Sequence, residues 1–338
     1  MELPSLESLT RATEIVGAAM RPTAEYTWPL LNARAGVEVW VKHENHSLVG
    51  AFKIRGALVY MHWLAQTQPD AGGVVTATRG NYGQAIAFAA NRYGLKAVIV
   101  VPFGNSREKN RAMRALGAEL IEHGDDFQAA SDFADHLAPE RGYHRAPSFH
   151  ELLVRGTGTY ALEFLRNTPE LDTVYVPIGL GSSICGMMAA RAALHLKTRI
   201  VGVVAAGSPA YSISFQERKP VSHPSETLFA DGLACRVPHP QALRLILNGV
   251  ERIVQVTDDE IAAAMLALFE DTHNVAEGAG AAAFAGLMQE RERLRGKRAG
   301  IVLSGGNVDS DVFASVLTKE AARRTAATGF DRKDRSVF

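Results

Sequence analysis

The sequence predicts an α/β protein built from two doubly wound, parallel-sheet units, and three observations carry that prediction. Short apolar runs alternate with segments of three- and four-residue apolar spacing, joined by glycine-containing turns. That is the rhythm of βα units and of parallel sheets covered on both faces. The rhythm comes in two series, separated by a long helical pattern over 151–165. The length, 338 residues, suits about two domains or one large α/β unit, and suffices to bury a core without disulfides or metals.

Each element has its own signal. In the first series, strands are predicted over 37–41, 74–77, 97–101 and 119–121, with helices over 52–65, 83–93, 106–116 and 127–137. The strands are too short to be half of a buried helix, and the helices keep one apolar face. In the second series, strands over 173–176 and 200–204 flank a helix over 184–194. The stretch 207–240 is rich in proline and glycine and reads as loops with a short helix. Regular structure resumes with a strand over 252–256, helices over 258–270 and 280–291, and a strand over 300–303 that runs into Ser304-Gly305-Gly306-Asn307. The last ten residues are expected to be mobile.

Composition narrows the class. Lys plus Arg and Asp plus Glu number 36 each, so the formal charge is zero. A dedicated nucleic-acid binder would carry a basic excess. Hydrophobic residues at 47% and charged residues at 21% exclude a disordered chain. Cys185 and Cys235 are too few for a disulfide framework or a four-cysteine zinc site. The N-terminus lacks a basic-then-apolar signal pattern, and no uninterrupted apolar run is long enough to span a membrane. A cytoplasmic protein is expected.

The glycine motifs were tested against known phosphate binders. Gly179-Leu180-Gly181-Ser182-Ser183-Ile184-Cys185-Gly186 follows a strand and precedes a helix. A dinucleotide fingerprint needs glycine where Ile184 stands, and the next strand ends without an acid for a ribose. There is no GxxxxGK[ST] loop and no GxSxG elbow. What remains is an anion cradle of small residues at a helix N-terminus, or a tight turn that binds nothing.

Three further segments lie at strand C-terminal ends or helix N-termini, where parallel sheets bind ligands. Lys53 sits in Gly50-Ala51-Phe52-Lys53-Ile54-Arg55-Gly56 at a helix start. There the helix dipole and apolar neighbours disfavour its ammonium form, and an easily deprotonated lysine can form a Schiff base. Taken alone, a solvated helix-start lysine is the simpler reading. Thr78-Arg79-Gly80-Asn81-Tyr82-Gly83-Gln84 joins a strand to a helix, and Ser304-Gly305-Gly306-Asn307 follows the last strand. Each has a bland reading, Asn81 as a cap and Ser304 as a turn residue.

Together and in this order, with Glu277 in an Ala-Glu-Gly-Ala-Gly run, these motifs resemble the fold-type II pyridoxal phosphate enzymes, and within them the threonine/serine dehydratase group. The resemblance covers about 10–317. It implies a tryptophan synthase β-like fold with pyridoxal 5'-phosphate in the interdomain cleft. It implies a large cofactor domain of 1–42 and 145–338, a small, inserted, mobile domain of 43–144, and a homodimer. By the resemblance, Lys53 is the Schiff-base lysine and the base at Cα, and Phe52 lines the cofactor ring. Asn81 hydrogen-bonds the ring oxygen, and Gly179, Leu180, Gly181, Ser182 and Ser183 hold the phosphate. Glu277 belongs to the cofactor site, and Ser304 faces the pyridine nitrogen. A serine there leaves the nitrogen largely neutral, which favours elimination over transamination. The implied reaction removes water from a β-hydroxy amino acid such as threonine or serine and yields a 2-oxo acid and ammonia. The length also suits a catalytic unit without the regulatory domain appended in some relatives.

The substrate loop departs from the common Ser-x-Gly-Asn-His. Thr78 replaces the serine, Arg79 a small residue and Tyr82 the histidine. Thr78 and the Gly80 backbone still suit a substrate carboxylate. Arg79 removes the second proton donor that racemisation uses. It either receives a second carboxylate, as in 3-hydroxyaspartate, flanks an aromatic ring with Tyr82, as in phenylserine, or faces solvent. Leu180 and Ser182 stand where glycines are common. The acidic metal ligand of racemase-like members is missing near 204–206, so no metal is expected. Asp231, His223 and the His43/His46 pair are candidate ligands, but a His-x-x-His in a strand-to-loop segment is usually polar surface. Two rival classes stay open, a β-replacement enzyme resembling cysteine synthase and a non-catalytic binding module on the same fold.

Overall fold

Successive residues of the apolar strands are buried on opposite faces, and that alternation builds the molecule. In a computed structural model that describes residues 1–227 and 230–328, ten strands form two sheets. The expectation for the last ten residues lies outside the described residues. The strands are β1 (Glu25–Thr27), β2 (Glu38–His43), β3 (Gly73–Ala77), β4 (Lys96–Val101), β5 (Glu119–Glu122), β6 (His144–Arg145), β7 (Thr173–Pro177), β8 (Arg199–Ala205), β9 (Arg252–Val256) and β10 (Arg298–Leu303). The larger sheet has the order β1-β2-β10-β7-β8-β9 and the smaller β5-β4-β3-β6. Every pairing is parallel except β1 with β2.

In β3 and β4, Val74, Ile99 and Val101 join one core while Val75, Ala77, Val98 and Val100 join another on the opposite face. In the larger sheet, Tyr175, Val201 and Val203 point one way, and Val174, Val176 and Ile200 the other. Helices cover both faces, as the unbroken apolar runs require. The α/β class with two largely parallel sheets stands as predicted.

The smaller sheet draws all its strands from 73–145, and the larger sheet draws its strands from 25–43 and 173–303. The two cores nevertheless share elements. The helix Leu6–Gly17 places Leu9 in a core of the larger sheet and Ala12 and Val16 in a core of the smaller one. Leu152 and Leu153, from the long helix Glu151–Asn167, also pack beside β3 and β4. The stretch 207–240 contains the expected short helix, Ala210–Glu217. The sequence pattern yields no element for β1, β6 or the helices Leu6–Gly17, Pro29–Ala35, Pro240–Gly249 and Ser310–Thr328; the pieces of two to seven residues carry too little periodicity.

β2 ends at His43, which is fully buried. Trp28 Nε1 donates to His43 Nε2 at 3.1 Å, and the His43 ring stacks on His46 at 4.8 Å. His46 Nε2 in turn lies 2.6 Å from Asn274 Oδ1. Burial, and then the neighbouring His46, push the His43 pKa down to about 4 from 6.5. His43 is therefore neutral in the fold, whereas the unfolded chain takes up a proton as pH falls below about 6.5. Its contribution to stability is complete above that pH and declines towards pH 4, by at most about 3 kcal/mol. His43→Gln is expected to flatten this part of the stability–pH curve in urea melts at pH 7.5 and 5. An unchanged difference between the two pH values would count against the assignment.

Candidate active site

Four helix N-termini and the end of β10 meet at the C-terminal edges of the two sheets. Lys53 begins the helix Lys53–Thr67, Asn81 the helix Asn81–Arg92, and Ser182 the helix Ser182–Ala193. Glu277 caps the helix Gly278–Gln289, and Ser304 follows β10. All border one cavity of about 680 Å³. The sequence scattered these residues over more than two hundred positions, and the parallel topology gathers them at one edge, where such sheets bind ligands.

The lysine segment is stapled to the last loop. Phe52 N donates to Ser304 O at 3.0 Å, Gly306 N donates to Gly50 O at 2.9 Å, and Ala51 bridges Gly305. Lys53 Nζ lies 4.7 Å from the centre of the Phe52 ring. Enclosure by protein pushes its pKa down to about 8, against the pull of Glu277. Among the described residues no carboxylate forms an ion pair with it. Among the described residues the Ser304 hydroxyl has only a long contact, 3.4 Å to Ala279 O, and is left able to bond a ligand.

The asparagine loop is tied to both flanks. Thr78 Oγ1 accepts from Gly80 N at 3.1 Å, closing the turn. Asn81 Nδ2 donates to Glu277 Oε1, while Asn81 Oδ1 accepts from Asn307 Nδ2 at 2.9 Å. Tyr82 is buried, borders the cavity, and donates its hydroxyl to Pro147 O at 2.6 Å. Arg79 borders the same cavity, is exposed, and pairs with no carboxylate among the described residues.

The turn after β7 is an anion cradle. Gly181 has φ of 100°, a left-handed backbone that favours glycine, and no side chain caps the helix start at Ser182. Leu180 is not left-handed, so its side chain costs the turn nothing. Tyr211 donates to Leu180 O at 2.9 Å, and Tyr160 OH lies 2.7 Å from Ser183 Oγ. The Ser183 hydroxyl is thus engaged by protein, whereas Ser182 Oγ has no protein hydrogen bond among the described residues.

Sequence reasoning missed Lys109 and Asn307 and gave Asp231 no role in the site. Lys109 Nζ lies 3.0 Å from Asp231 Oδ2 and 3.1 Å from Glu277 Oε2. In Arg107-Glu108-Lys109-Asn110 a lysine looks like part of a solvated face, and only the tertiary arrangement puts it under the asparagine loop. His223 borders the cavity without joining a cluster. Among the described residues no three His, Cys, Asp or Glu side chains are grouped to hold a metal.

A family model for pyridoxal-phosphate dependent enzymes matches residues 17–305. The chain belongs to the pyridoxal-phosphate dependent enzymes. It is 36% identical over 282 residues to the biosynthetic L-threonine dehydratase of Salmonella typhimurium, covering 82% of this chain and 55% of that one. The chain therefore spans about half the length of that relative. It is 30% identical over 319 residues to the L-threo-3-hydroxyaspartate ammonia-lyase of Saccharomyces cerevisiae, covering 94% and 98% of the two chains. A solved pyridoxal 5'-phosphate-dependent aspartate racemase matches with a TM-score of 0.84 at 29% identity, covering 91% and 97%. The dehydratase resemblance read from the motifs is borne out.

The residues of this pyridoxal-phosphate dependent enzyme fit its cofactor. An uncapped helix N-terminus and a free serine hydroxyl suit a phosphate. An amine held near pH 8 suits an aldehyde, and the lightly bonded Ser304 hydroxyl suits a ring nitrogen.

Proposed function

We propose that this pyridoxal-phosphate dependent enzyme is an ammonia-lyase that removes water from a β-hydroxy amino acid, after which a water hydrolyses the released unsaturated amine to a 2-oxo acid and ammonia. The observation that carries the reading is Lys53, whose enclosed amine has a pKa of about 8 and no ion-pair partner among the described residues. The bound cofactor supplies the electron sink that acidifies the substrate Cα. Lys53 holds the cofactor and then takes the Cα proton, a task suited to an amine with a pKa near neutrality. Backbone N–H groups at 181–183 and the Ser182 hydroxyl hold the phosphate. Asn81 Nδ2 keeps one proton for the cofactor's ring oxygen after donating to Glu277. Thr78 and the backbone around it receive the substrate carboxylate. Residues 43–144, which carry the asparagine loop, are read as the unit that closes over substrate.

Release of 2-oxo acid from a panel of β-hydroxy amino acids tests the reading. Faster formation of a thioether from an activated serine and a thiol would place the chain among β-replacement enzymes instead.

Arg79 favours a second reading within the same chemistry, an acidic substrate. It stands unpaired at the cavity, and two relatives are named for hydroxyaspartate and aspartate. Arg79→Ala is expected to raise KM for 3-hydroxyaspartate roughly tenfold, the loss of one partly exposed charge-assisted contact. The change for threonine should be much smaller. Equal changes for both substrates would return Arg79 to the solvent.

The resemblance also supports a homodimer at work in the cytoplasm. No described helix is long and apolar enough to cross a membrane. Exposed Leu30 and Leu48 are candidates for an intersubunit surface, which sedimentation would test.

A further inference from the structure

Lys109 lies on the helix Arg107–Ala115, in the chain segment of the smaller sheet. Both of its carboxylate partners, Asp231 and Glu277, come from the chain segment of the larger sheet. The lysine is almost completely buried, and so is Glu277. Its aliphatic stem lies directly beneath the asparagine loop, where a Cβ on Gly80 would come within 2.6 Å of Lys109 Cδ. The helix that carries it is itself anchored across the cleft. Ser106 Oγ donates to Asp309 Oδ1 at 2.6 Å, the backbone N–H of Glu108 donates to the same oxygen at 3.2 Å, and Ser310 Oγ donates to Glu108 Oε1 at 2.7 Å. Each unit thus caps a helix start of the other.

Asn81 sits at the centre of this frame. Its two amide ends are read by different partners, Glu277 at Nδ2 and Asn307 at Oδ1. The orientation depends on Glu277 accepting at Oε1; an ionised carboxylate can only accept, whereas a protonated one can also donate. Burial, and to a lesser degree the nearby Asp231, hold the Glu277 pKa above its ordinary 4.5. Lys109 is the cation that opposes both.

We propose that Lys109 is a positioning residue for the reaction. It bridges the two units at Asp231 and Glu277, favours the ionised form of Glu277 as a pure acceptor, and so fixes the Asn81 amide with its N–H aimed at the cofactor's ring oxygen. The consequence for the reaction rests on the function proposed above, whereas the ion triad rests on geometry alone. Without Lys109, the protonated form of Glu277 gains further weight. A protonated carboxyl can donate to Asn81 Oδ1, and the amide loses the preference that presents its N–H.

The test is a double-mutant cycle of Lys109→Met and Glu277→Gln. Methionine keeps a stem under Gly80 and removes the charge, and glutamine offers a neutral acceptor to Asn81. Lys109→Met alone is expected to lower kcat roughly tenfold or more, with a smaller change in KM. It should also shift the pH dependence of the cofactor's visible band, which a purely structural role would not move. In cofactor-free protein, infrared difference spectra should show a protonated carboxyl in Lys109→Met that is absent from the double variant. In the Glu277→Gln background, Lys109→Met should have little further effect on kcat or on the band. An equal loss in both backgrounds overturns the proposal, as does a Lys109→Met protein with the parental band and pH profile. If Lys109→Met alone does not fold, the comparison of Glu277→Gln with the double variant decides in the same way. A parent protein that takes up no cofactor would instead overturn the function, and the infrared result on the cofactor-free protein would still judge the triad.

Discussion

Replacing Lys53 with alanine is expected to abolish turnover and the cofactor's visible absorbance, while making the cofactor-free protein more stable at neutral pH. Both effects have one physical source. Lys53 begins a helix, next to Phe52 and under the loop that holds Ser304. Enclosure there lowers its pKa from 10.5 to about 8. At pH 7.5 roughly a quarter of such amines are uncharged, against about one in a thousand for a solvated lysine. The free amine is what bonds an aldehyde and what can remove a proton, so its loss is expected to cost at least about a thousandfold in kcat. The same shift weakens the fold. Below pH 8 the enclosed ammonium is present in the folded protein at a cost of up to about 3 kcal/mol, and above about pH 10.5 both states are neutral and the cost disappears. Lys53→Ala should therefore gain stability in thermal melts at pH 7 and gain little at pH 11. Full activity with unchanged colour in the variant would remove Lys53 from the mechanism. Equal gains at both pH values would mean the amine is not strained in the fold.

The sequence made the βα rhythm legible because both faces of each parallel strand are buried. Runs such as Gly73–Ala77 and Thr173–Pro177 have every residue covered. It also placed Lys53, Asn81, Gly181 and Ser304 at helix starts, a turn and a strand end, whereas their roles toward a cofactor came from the motifs taken together as a resemblance. Partners chosen by tertiary packing were not legible. Tyr160 reaches Ser183 from another helix, and Tyr82 gives its hydroxyl to Pro147 O. Lys109 belongs to a segment whose charge density resembles a surface. A residue's neighbours along the chain set its backbone, but its ion partners here come from more than a hundred positions away.

Arg55→Met should be the most destabilising single change away from the cavity. Arg55 is two positions beyond Lys53 on the same helix and is completely buried. Its guanidinium meets both oxygens of Glu44, at 2.7 and 2.9 Å, both oxygens of Glu163, at 2.7 and 2.8 Å, and Thr159 Oγ1 at 3.0 Å. Lys42, also completely buried, meets Glu163 at 2.7 Å and Glu25 at 2.5 Å. Two cations thus answer three carboxylates in a dry cluster. Burial alone would lower the Arg55 pKa, but Glu44 and Glu163 reverse that and raise it. Removing the arginine leaves Glu44 without a cation, and breaking a buried pair this way costs about 3–5 kcal/mol. Against a total stability of about 5–15 kcal/mol, that loss could leave little folded protein at 37 °C. Because water and salt are excluded, the loss should be the same at low and high ionic strength, unlike that of a surface pair. The acid limb should change too. Burial raises the Glu163 pKa, but Arg55 and then Lys42 overcome it and hold the carboxyl below 4.5. Its contribution is present above that pH and is lost as pH falls through the folded value, so without Arg55 the loss sets in at higher pH. Arg55→Met combined with Glu44→Leu, which removes the stranded charge, should recover much of the stability in urea melts. If the single variant is as stable as the parent, the cluster contributes no stability and only its geometry holds the Lys53 helix. If the double variant is no better than the single one, the cost lies in packing and not in the orphaned carboxylate.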